Sequence, residues 1–234
     1  MKLHIITLLG TLVIAALGKA VADSNENAAS IEQIGEGQVA RVDQQGTTSN
    51  NRATIGQTGI DNEATIDQGG SDSANRASIV QGGMSNSATV SQTGAGADNE
   101  SNVVQIGSEN GTLIIQQGIG GANLASVLQQ GSTNQASISQ NYLGALAQQN
   151  LATIIQDGNR NSAEIDQEGT GHEADIEQTG SDNTGKIEQS DDNQKAVLKQ
   201  FGDNNSWNIE QSGSAGGIKV EQYGSGGGIT IQQF

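Results

Sequence analysis

Glutamine is the residue with the most regular spacing in this chain of 234 residues, and its side chain can do hydrogen-bonding chemistry. A primary amide is both a donor and an acceptor, so stacked copies of one amide can bond to each other in a ladder. The regular positions are Gln33, Gln44, Gln57, Gln68, Gln81, Gln92, Gln105, Gln116, Gln129, Gln140, Gln156, Gln167, Gln178, Gln189, Gln200, Gln211, Gln222 and Gln233. Their spacing indicates a repeated unit that stacks these amides.

The repeated unit approximates N-x-A-x-[IV]-x-Q-x-G, as in residues 62–70. Ile, Val or Leu stands two positions before the glutamine in all 18 units, Asn stands six before it in 13, and Gly follows two after it in 15 of 17. Glutamines that were merely solvated would be replaced by Glu, Lys or Ser, and none of these occurs at the glutamine position. The pattern therefore indicates ordered repeats rather than low-complexity disorder.

The composition excludes several classes of protein. Only 33% of the residues are hydrophobic and 2% are aromatic, which is too few for the core of an ordinary globular enzyme of this length. The formal net charge is -16, so the chain lacks the basic surface that a nucleic-acid-binding protein needs, and we expect no nucleic-acid partner. Without cysteine there is no disulfide, no thiolate metal site and no cysteine nucleophile.

Catalytic and metal-binding patterns are not apparent in the repeats. An enzyme needs a converging acid, base or nucleophile, whereas His172 merely takes the place of an asparagine in its unit. Calcium-binding solenoids have recurrent aspartates in their turns, which Gly-x-x-Asn lacks. An ice-binding solenoid would present an unbroken threonine array, which Glu164 and Asp175 interrupt here. We therefore expect no enzyme activity, catalytic residue, cofactor or metal.

The key residues of the unit recur at every second position, which is typical of a β-strand. Asn, Ala, Ile and Gln at i, i+2, i+4 and i+6 share one face of a strand, whereas a helix would scatter them around its circumference. Glycine and asparagine at the junctions tolerate positive φ, so the sequence predicts that both make the turns. Because one such strand is unstable in water, we expect the units to stack.

The steps between glutamines predict how the strands stack. Steps of 11 and 13 residues alternate up to Gln140, a step of 16 follows, and every later step is 11 residues. Two units therefore make one coil, and we predict an all-β fold: a β-solenoid or cross-β stack of about nine strand-turn-strand coils in two facing parallel sheets. The predicted repeat domain, 23–234, has a first block, 27–140, with 24-residue coils, a seam at 141–149, and a second block, 150–234, with 22-residue coils.

The inward faces of the end coils hold the candidate functional residues. We expect a polymerisation ladder of amides from Gln33, Gln44, Asn51, Gln57, Asn62, Gln68, Gln211, Gln222 and Gln233. We expect the core beside them to contain Ile31, Val42, Ile55, Ile66, Ile209, Val220 and Ile231. Monomeric solenoids cover their end strands with caps, and the repeat region carries no amphipathic helix or charged cap at either end. The sequence therefore predicts a homopolymer that grows by head-to-tail addition at its edge strands.

The N-terminal residues, 1–22, have the pattern of a secretory signal peptide. Lys2 precedes an apolar run of 16 residues, which is short for a membrane-spanning helix, and a small-x-small cleavage motif ends at Ala22. We therefore expect an exported mature chain that begins at residue 23.

A signal peptide followed by N-x-A-x-I-x-Q-x-G units over residues 27–234 resembles the curlin family, the secreted subunits of bacterial curli amyloid. The resemblance implies export through the Sec route, the periplasm and an outer-membrane secretion pore. It implies assembly into an extracellular cell-surface fibre with a nucleator subunit and periplasmic or extracellular accessory proteins. It also implies roles in biofilm matrix, adhesion and surface colonisation.

Two features bear on the branch of the family. The segment Lys-Gln-Phe-Gly at 199–202 and the end Gln-Phe at 233–234 are similar to the major subunit, whereas a nucleator typically has a basic last repeat. A nucleator subunit and a secreted β-solenoid adhesin that does not polymerise are the alternatives. The glycine-rich export segment of the family is reduced here to about residues 23–27.

Overall fold

The computed structural model describes residues 15–20, 27–45, 50–71, 73–95, 98–119, 122–142 and 149–234. These residues form 19 β-strands and no helix, so none of them provides a helix that could cross a membrane. The strands lie in two parallel sheets. Residues 1–14 and 21–22 of the predicted signal peptide, and 143–148 of the predicted seam, lie outside the described residues.

One sheet, which we call the even sheet, has nine strands. They are β2 (Ala28–Glu36), β4 (Arg52–Ile60), β6 (Arg76–Met84), β8 (Glu100–Ser108), β10 (Leu124–Ser132), β12 (Leu151–Asn159), β14 (Glu173–Ser181), β16 (Lys195–Phe201) and β18 (Gly217–Tyr223). Each pairs with the preceding and following even strand, so the sheet is built in chain order from β2 to β18.

The other sheet, which we call the odd sheet, has ten strands. They are β1 (Ala15–Ala20), β3 (Val39–Gln44), β5 (Glu63–Gly69), β7 (Ser87–Ala95), β9 (Gly111–Ile119), β11 (Gln135–Tyr142), β13 (Ser162–Thr170), β15 (Thr184–Asp192), β17 (Ser206–Gln211) and β19 (Gly228–Gln233). It is also built in chain order, from β1 to β19.

Neighbouring strands are in register, so equivalent positions of the repeat lie side by side. In the even sheet, for example, Gln129 lies opposite Gln105 on one side and Gln156 on the other. We call such a set of equivalent positions on successive coils a column. The strand pairs from β2–β3 to β18–β19 make nine coils. The predicted all-β solenoid with two parallel sheets is confirmed.

The hydrophobic core is a narrow space between the two sheets. Columns of alanine and of Ile, Val or Leu meet there, and the largest fully buried side chains are Ile55, Ile66, Ile79, Ile114, Ile138, Ile154, Ile165, Ile176, Ile187, Leu198 and Ile209. Burying one such side chain contributes roughly 1.5–3 kcal/mol. Since each strand supplies so few of these residues, a coil is covered mainly by its neighbours, and stability depends on stacking.

The glycine two positions after most column glutamines lets successive coils approach closely. Gly107 has a φ of +126°, and a Cβ added to it would lie 1.9 Å from the carbonyl oxygen of Gly131 on the next coil. We call the turns from an even strand to the following odd strand the short turns, and those from an odd strand to the following even strand the long turns. In the short turns the other residue with a left-handed backbone is the one before the asparagine, such as Asp61 or Ser85. The prediction that the asparagine takes this conformation is therefore wrong for Asn62, whose side chain lies inside the coil and bonds to the next one.

The strand β1 lies within the predicted signal peptide. It pairs in parallel with β3, with Gly18 opposite Val42 and Ala20 opposite Gln44. This strand covers the backbone edge of β3, which the sequence did not predict. In the even sheet β2 is the terminal strand among the residues with a described backbone.

Candidate functional site

The odd sheet carries a continuous ladder of glutamine side chains. Each Nε2 donates to the Oε1 of the column glutamine on the next coil at 2.8–3.2 Å. The members are Gln44, Gln68, Gln92, Gln116, Gln140, Gln167, Gln189, Gln211 and Gln233. All eight bonds run in one direction, so the ladder is polar.

The even sheet carries a second ladder, which stops before its last coil. The Nε2–Oε1 distances are 2.7–2.9 Å. The members are Gln33, Gln57, Gln81, Gln105, Gln129, Gln156, Gln178 and Gln200. Gln222 occupies the next position in the column, but its side chain bonds to Trp207 and Asn205 instead. The structure therefore places Gln222, a predicted ladder residue, outside the hydrogen-bonded ladder.

The ladder amides also tie the two sheets together. The Nε2 of Gln105 lies 3.0 Å from the carbonyl oxygen of Ser87, and the Nε2 of Gln116 lies 3.1 Å from that of Glu100. Each amide therefore uses one N–H within its sheet and the other across the core. Glutamate could not replace glutamine here, because a carboxylate has no N–H to donate and its charge would be buried.

The asparagines of the short turns form a third hydrogen-bonded array. The Oδ1 of Asn86 accepts from the backbone N of Asn110 at 3.1 Å and from its Nδ2 at 3.0 Å. The Nδ2 of Asn86 donates to the carbonyl of Gly107 on the next coil at 3.0 Å. The same pattern recurs at Asn62, Asn134 and Asn161, and Asn183 keeps the bonds to the backbone N of Asn205 and to the carbonyl of Gly202. These buried amides are satisfied and fasten each turn to the next.

The asparagines of the long turns are less completely bonded. The Nδ2 atoms of Asn51, Asn75 and Asn99 are buried and have no hydrogen-bond partner among the residues that the structure describes. On the coil after Asn150, the corresponding turn is two residues shorter than the long turns earlier in the chain. There the Nδ2 of Asn150 reaches the carbonyl of Gly169 at 2.9 Å. The alternation of 13- and 11-residue steps is the sequence signal for this difference, which the column pattern alone does not reveal.

His172 takes an asparagine position and reproduces the hydrogen bonds that the asparagine Nδ2 donates. Its Nε2 lies 3.2 Å from the carbonyl oxygen of Glu168 and 3.1 Å from that of Asp191, so Nε2 carries the proton. Its Nδ1 is buried and has no partner in the described part of the chain. Burial lowers the pKa of His172, against smaller opposite effects of these two carbonyls and of the charges on Asp192 and Asp191. The imidazole is therefore neutral at pH 7.

The structure places the predicted core residues between the sheets. Five of them are buried: Val42, Ile55, Ile66, Ile209 and Val220. Ile31 and Ile231, on the two end coils, are partly buried against the same core. The predicted ladder residues Gln44, Gln57, Gln68 and Gln211 are buried in the glutamine ladders, whereas Asn51 and Asn62 are buried in the turns.

Both ends of the stack expose apolar side chains. On the first coil Ile34 and Val39 are 45% and 43% exposed, and on the last coil Tyr223 and Phe234 are 72% and 90% exposed. The Tyr223 ring stacks on Phe201 with centroids 5.1 Å apart. An exposed strand edge with apolar neighbours can pair with another strand. Among the described residues β2 has such an edge at the first coil and β18 and β19 have it at the last, so both ends are candidate docking surfaces.

Opposite charges pair along the outward faces of the coils. Lys186 lies next to Glu164 on the preceding coil, at 3.3 Å, and it also contacts Glu188 at 2.8 Å. Such exposed pairs contribute less than about 1 kcal/mol each. Within the described ranges, no three acidic or histidine side chains converge to hold a metal ion.

Comparison with known families identifies the repeats. The family described as Curlin associated repeat matches four segments, 25–59, 59–94, 148–180 and 180–213, which together make up more than half of the chain. No curated protein matches the chain. The matched segments contain the glutamine and asparagine columns that hold the solenoid together. The chain therefore belongs to the curlin family.

Proposed function

We propose that the protein is a secreted structural subunit that polymerises end to end into an extracellular amyloid fibre of the curli type. The observation that carries this proposal is the direction of the glutamine ladder in the odd sheet. It places an Oε1 acceptor on Gln44 of the first coil and an Nε2 donor on Gln233 of the last. A second copy stacked on β19 would continue the ladder through the same bond that joins the coils within one subunit.

Export and processing would prepare the first coil for this contact. Residues 1–22 include β1, which covers the edge of β3. Removal of a signal peptide at this position would leave the edges of β2 and β3 side by side on one end of the stack. The strands β18 and β19 end the two sheets at the other end. Each mature subunit would then have two exposed strand edges at its first coil and two at its last coil. The last coil of one copy would dock on the first coil of another.

The core columns would also continue across such a junction. In the register that holds within the subunit, Val220 would lie beside Ile31 of the next copy, and Ile231 would lie beside Val42. The end side chains that are partly buried in one subunit would become fully buried, which contributes further free energy to docking. The junction between two copies would thus have the same strand register and core packing as two neighbouring coils within one subunit.

Membership in the curlin family supports the proposed location and partners. We place the mature chain in a cell-surface fibre after export through the periplasm and the outer membrane. A secretion pore, a nucleator subunit and accessory proteins are the proposed partners. Biofilm matrix, adhesion and surface colonisation are the proposed roles.

Assembly kinetics of purified residues 23–234 test this proposal. We expect an amyloid dye to report a lag that preformed fibres remove, and fibre diffraction to show reflections near ~4.7–4.8 Å and ~10 Å. A chain that stays dispersed when seeded would overturn the proposal and favour a non-polymerising adhesin. A nucleator would instead shorten the lag of another curlin subunit at low molar ratio while assembling slowly itself.

A further inference from the structure

Gln222 differs from the other column glutamines because both of its polar atoms are engaged within its own end of the solenoid. The indole Nε1 of Trp207 donates to Gln222 Oε1. The Nε2 of Gln222 donates to the Oδ1 of Asn205 at 2.7 Å. The Nε2 of Gln200 keeps the usual bond across the core, to the carbonyl of Thr184 at 3.0 Å, but within the described residues it makes no bond to Gln222. The even ladder therefore ends one coil early.

Trp207 brings a bulky indole donor to a position where two other strands have only the small hydroxyls of Ser101 and Thr112, which bond to ladder glutamines without interrupting the ladder. It occupies a position of the unit that is alanine on most coils, and it is the only tryptophan in the chain. It lies opposite Gly185 of the preceding odd strand. The indole is partly buried against the core, which directs its N–H toward the glutamine column of the even sheet.

Gly227 makes room for the displaced Gln222 side chain. It occupies an asparagine position of the unit, and a Cβ added to it would lie 1.7 Å from the Nε2 of Gln222. Its own backbone N donates to the same Asn205 Oδ1 at 3.1 Å. An asparagine at this position, as at Asn183 and Asn205, would exclude Gln222 from the place it occupies. Two departures from the repeat thus act on one side chain.

We propose that Trp207 and Gly227 form a latch that holds Gln222 out of the even ladder, so that the last coil offers a second copy an amide donor only through Gln233 in the odd sheet. This inference rests on the proposed function, because it concerns the surface that receives the next subunit. Docking in the internal register requires a donor for the Oε1 of Gln33, and Gln222 must leave Asn205 to supply it. The latch therefore weakens each junction by about one hydrogen bond.

The latch itself can be tested on the dispersed subunit, whether or not the protein forms fibres. In residues 23–234 labelled with ¹⁵N, the single indole N–H gives one resonance. We expect slow exchange of this proton with solvent and a clear shift of its resonance in Gln222→Ala, with little change in Ile218→Ala, which alters the same core region. An indole proton that exchanges freely and ignores Gln222→Ala would overturn the latch.

The effect of the latch on assembly is tested by releasing Gln222 in two independent ways. Gly227→Asn fills the space that Gln222 uses and keeps the tryptophan, whereas Trp207→Ala restores the usual residue of the unit and removes the donor. We expect Gly227→Asn to lower the monomer concentration left at equilibrium with fibres about fivefold, the value of one net neutral hydrogen bond. Trp207→Ala should lower it relative to Ile218→Ala, which also loses core volume but keeps Trp207, Gln222 and Gly227.

The outcomes separate this inference from the proposed function. Suppose that the unaltered chain forms fibres and that Gly227→Asn leaves the residual monomer concentration unchanged or raises it. This result would overturn the role of the latch and leave polymerisation standing. No fibres from any of these chains would overturn polymerisation, and the role of the latch in docking with it, while the indole measurement still decides whether the contact exists.

Discussion

The side-chain amide of Gln140 donates to Gln167 at 2.9 Å across 27 residues of chain, whereas the preceding bond of the same ladder spans 24 residues and the following one spans 22. The bond lengths barely change although the intervening turns differ. The glutamine column therefore fixes the position of each coil, and the turns only have to close the path between strands.

Loss of one interior ladder glutamine should destabilise the fold strongly. Gln167 accepts from Gln140 and donates to Gln189 and to the carbonyl of Leu151. Gln167→Ala leaves buried partners without a bond, at about 1–3 kcal/mol each, and we expect a total loss of about 2–4 kcal/mol. Urea unfolding of the dispersed subunit measures it. Glu168→Ala, at the exposed next position, is the matched control, and similar losses in both variants would contradict the importance of the ladder.

The glycine column should not tolerate a side chain. Gly107→Ala combines a φ of +126° with a Cβ only 1.9 Å from the Gly131 carbonyl oxygen, so the coils would have to separate. Gly82→Ala, on the same β6–β8 pair of strands, meets nothing within 4 Å and serves as the control. We expect Gly107→Ala to lower the thermal unfolding midpoint by many degrees and Gly82→Ala to change it little. Equal midpoints would show that the close contact between coils is not required.

Stability should fall in mildly acidic solution because of His172. Burial lowers its pKa in the folded chain, whereas in the unfolded chain it titrates near ~6.5. Below about pH 6.5 the unfolded state therefore binds a proton that the folded state resists, and stability decreases until the pH reaches the folded pKa. His172→Asn restores the residue of the unit and should remove this decrease.

The measurement is the difference in urea midpoint between the two chains from pH 7.5 to pH 5. Other groups that titrate in the folded state, such as Asp67 and Asp175, whose pKa burial raises, are present in both chains and cancel in the difference. A difference that does not depend on pH would show that the neutral imidazole is not needed.

The sequence was sufficient to predict the repetitive part of this structure, because the period of two within each unit and the regular steps between units leave only one way to bury Ile66 and align Gln68 with its copies. It was insufficient where one side chain departs from the repeat. The displacement of Gln222 depends on the shapes of Trp207 and Gly227 together, and the residue types in any one column do not predict it. The Nδ2 of Asn51, which has no partner in the described part of the chain, likewise depends on the path of a longer turn rather than on the unit itself.

The central claim is that the last coil of one subunit docks on the first coil of the next in the internal register. A cysteine pair tests it directly, since the chain has no cysteine of its own. Ser30 and Lys219 are exposed and occupy one outward column, so Ser30→Cys and Lys219→Cys would lie about 4.8 Å apart across a junction and about 38 Å apart within one subunit.

We predict that fibres of this double variant of residues 23–234 give, on mild oxidation, a series of covalent multimers that a reducing agent returns to monomer. The control joins Ser30→Cys to Glu221→Cys, which stands two residues out of register and about 8 Å away, too far for a disulfide. Multimers from the first pair and few from the second are the expected result. Monomer alone from both pairs, or equal multimers from both, would contradict the account.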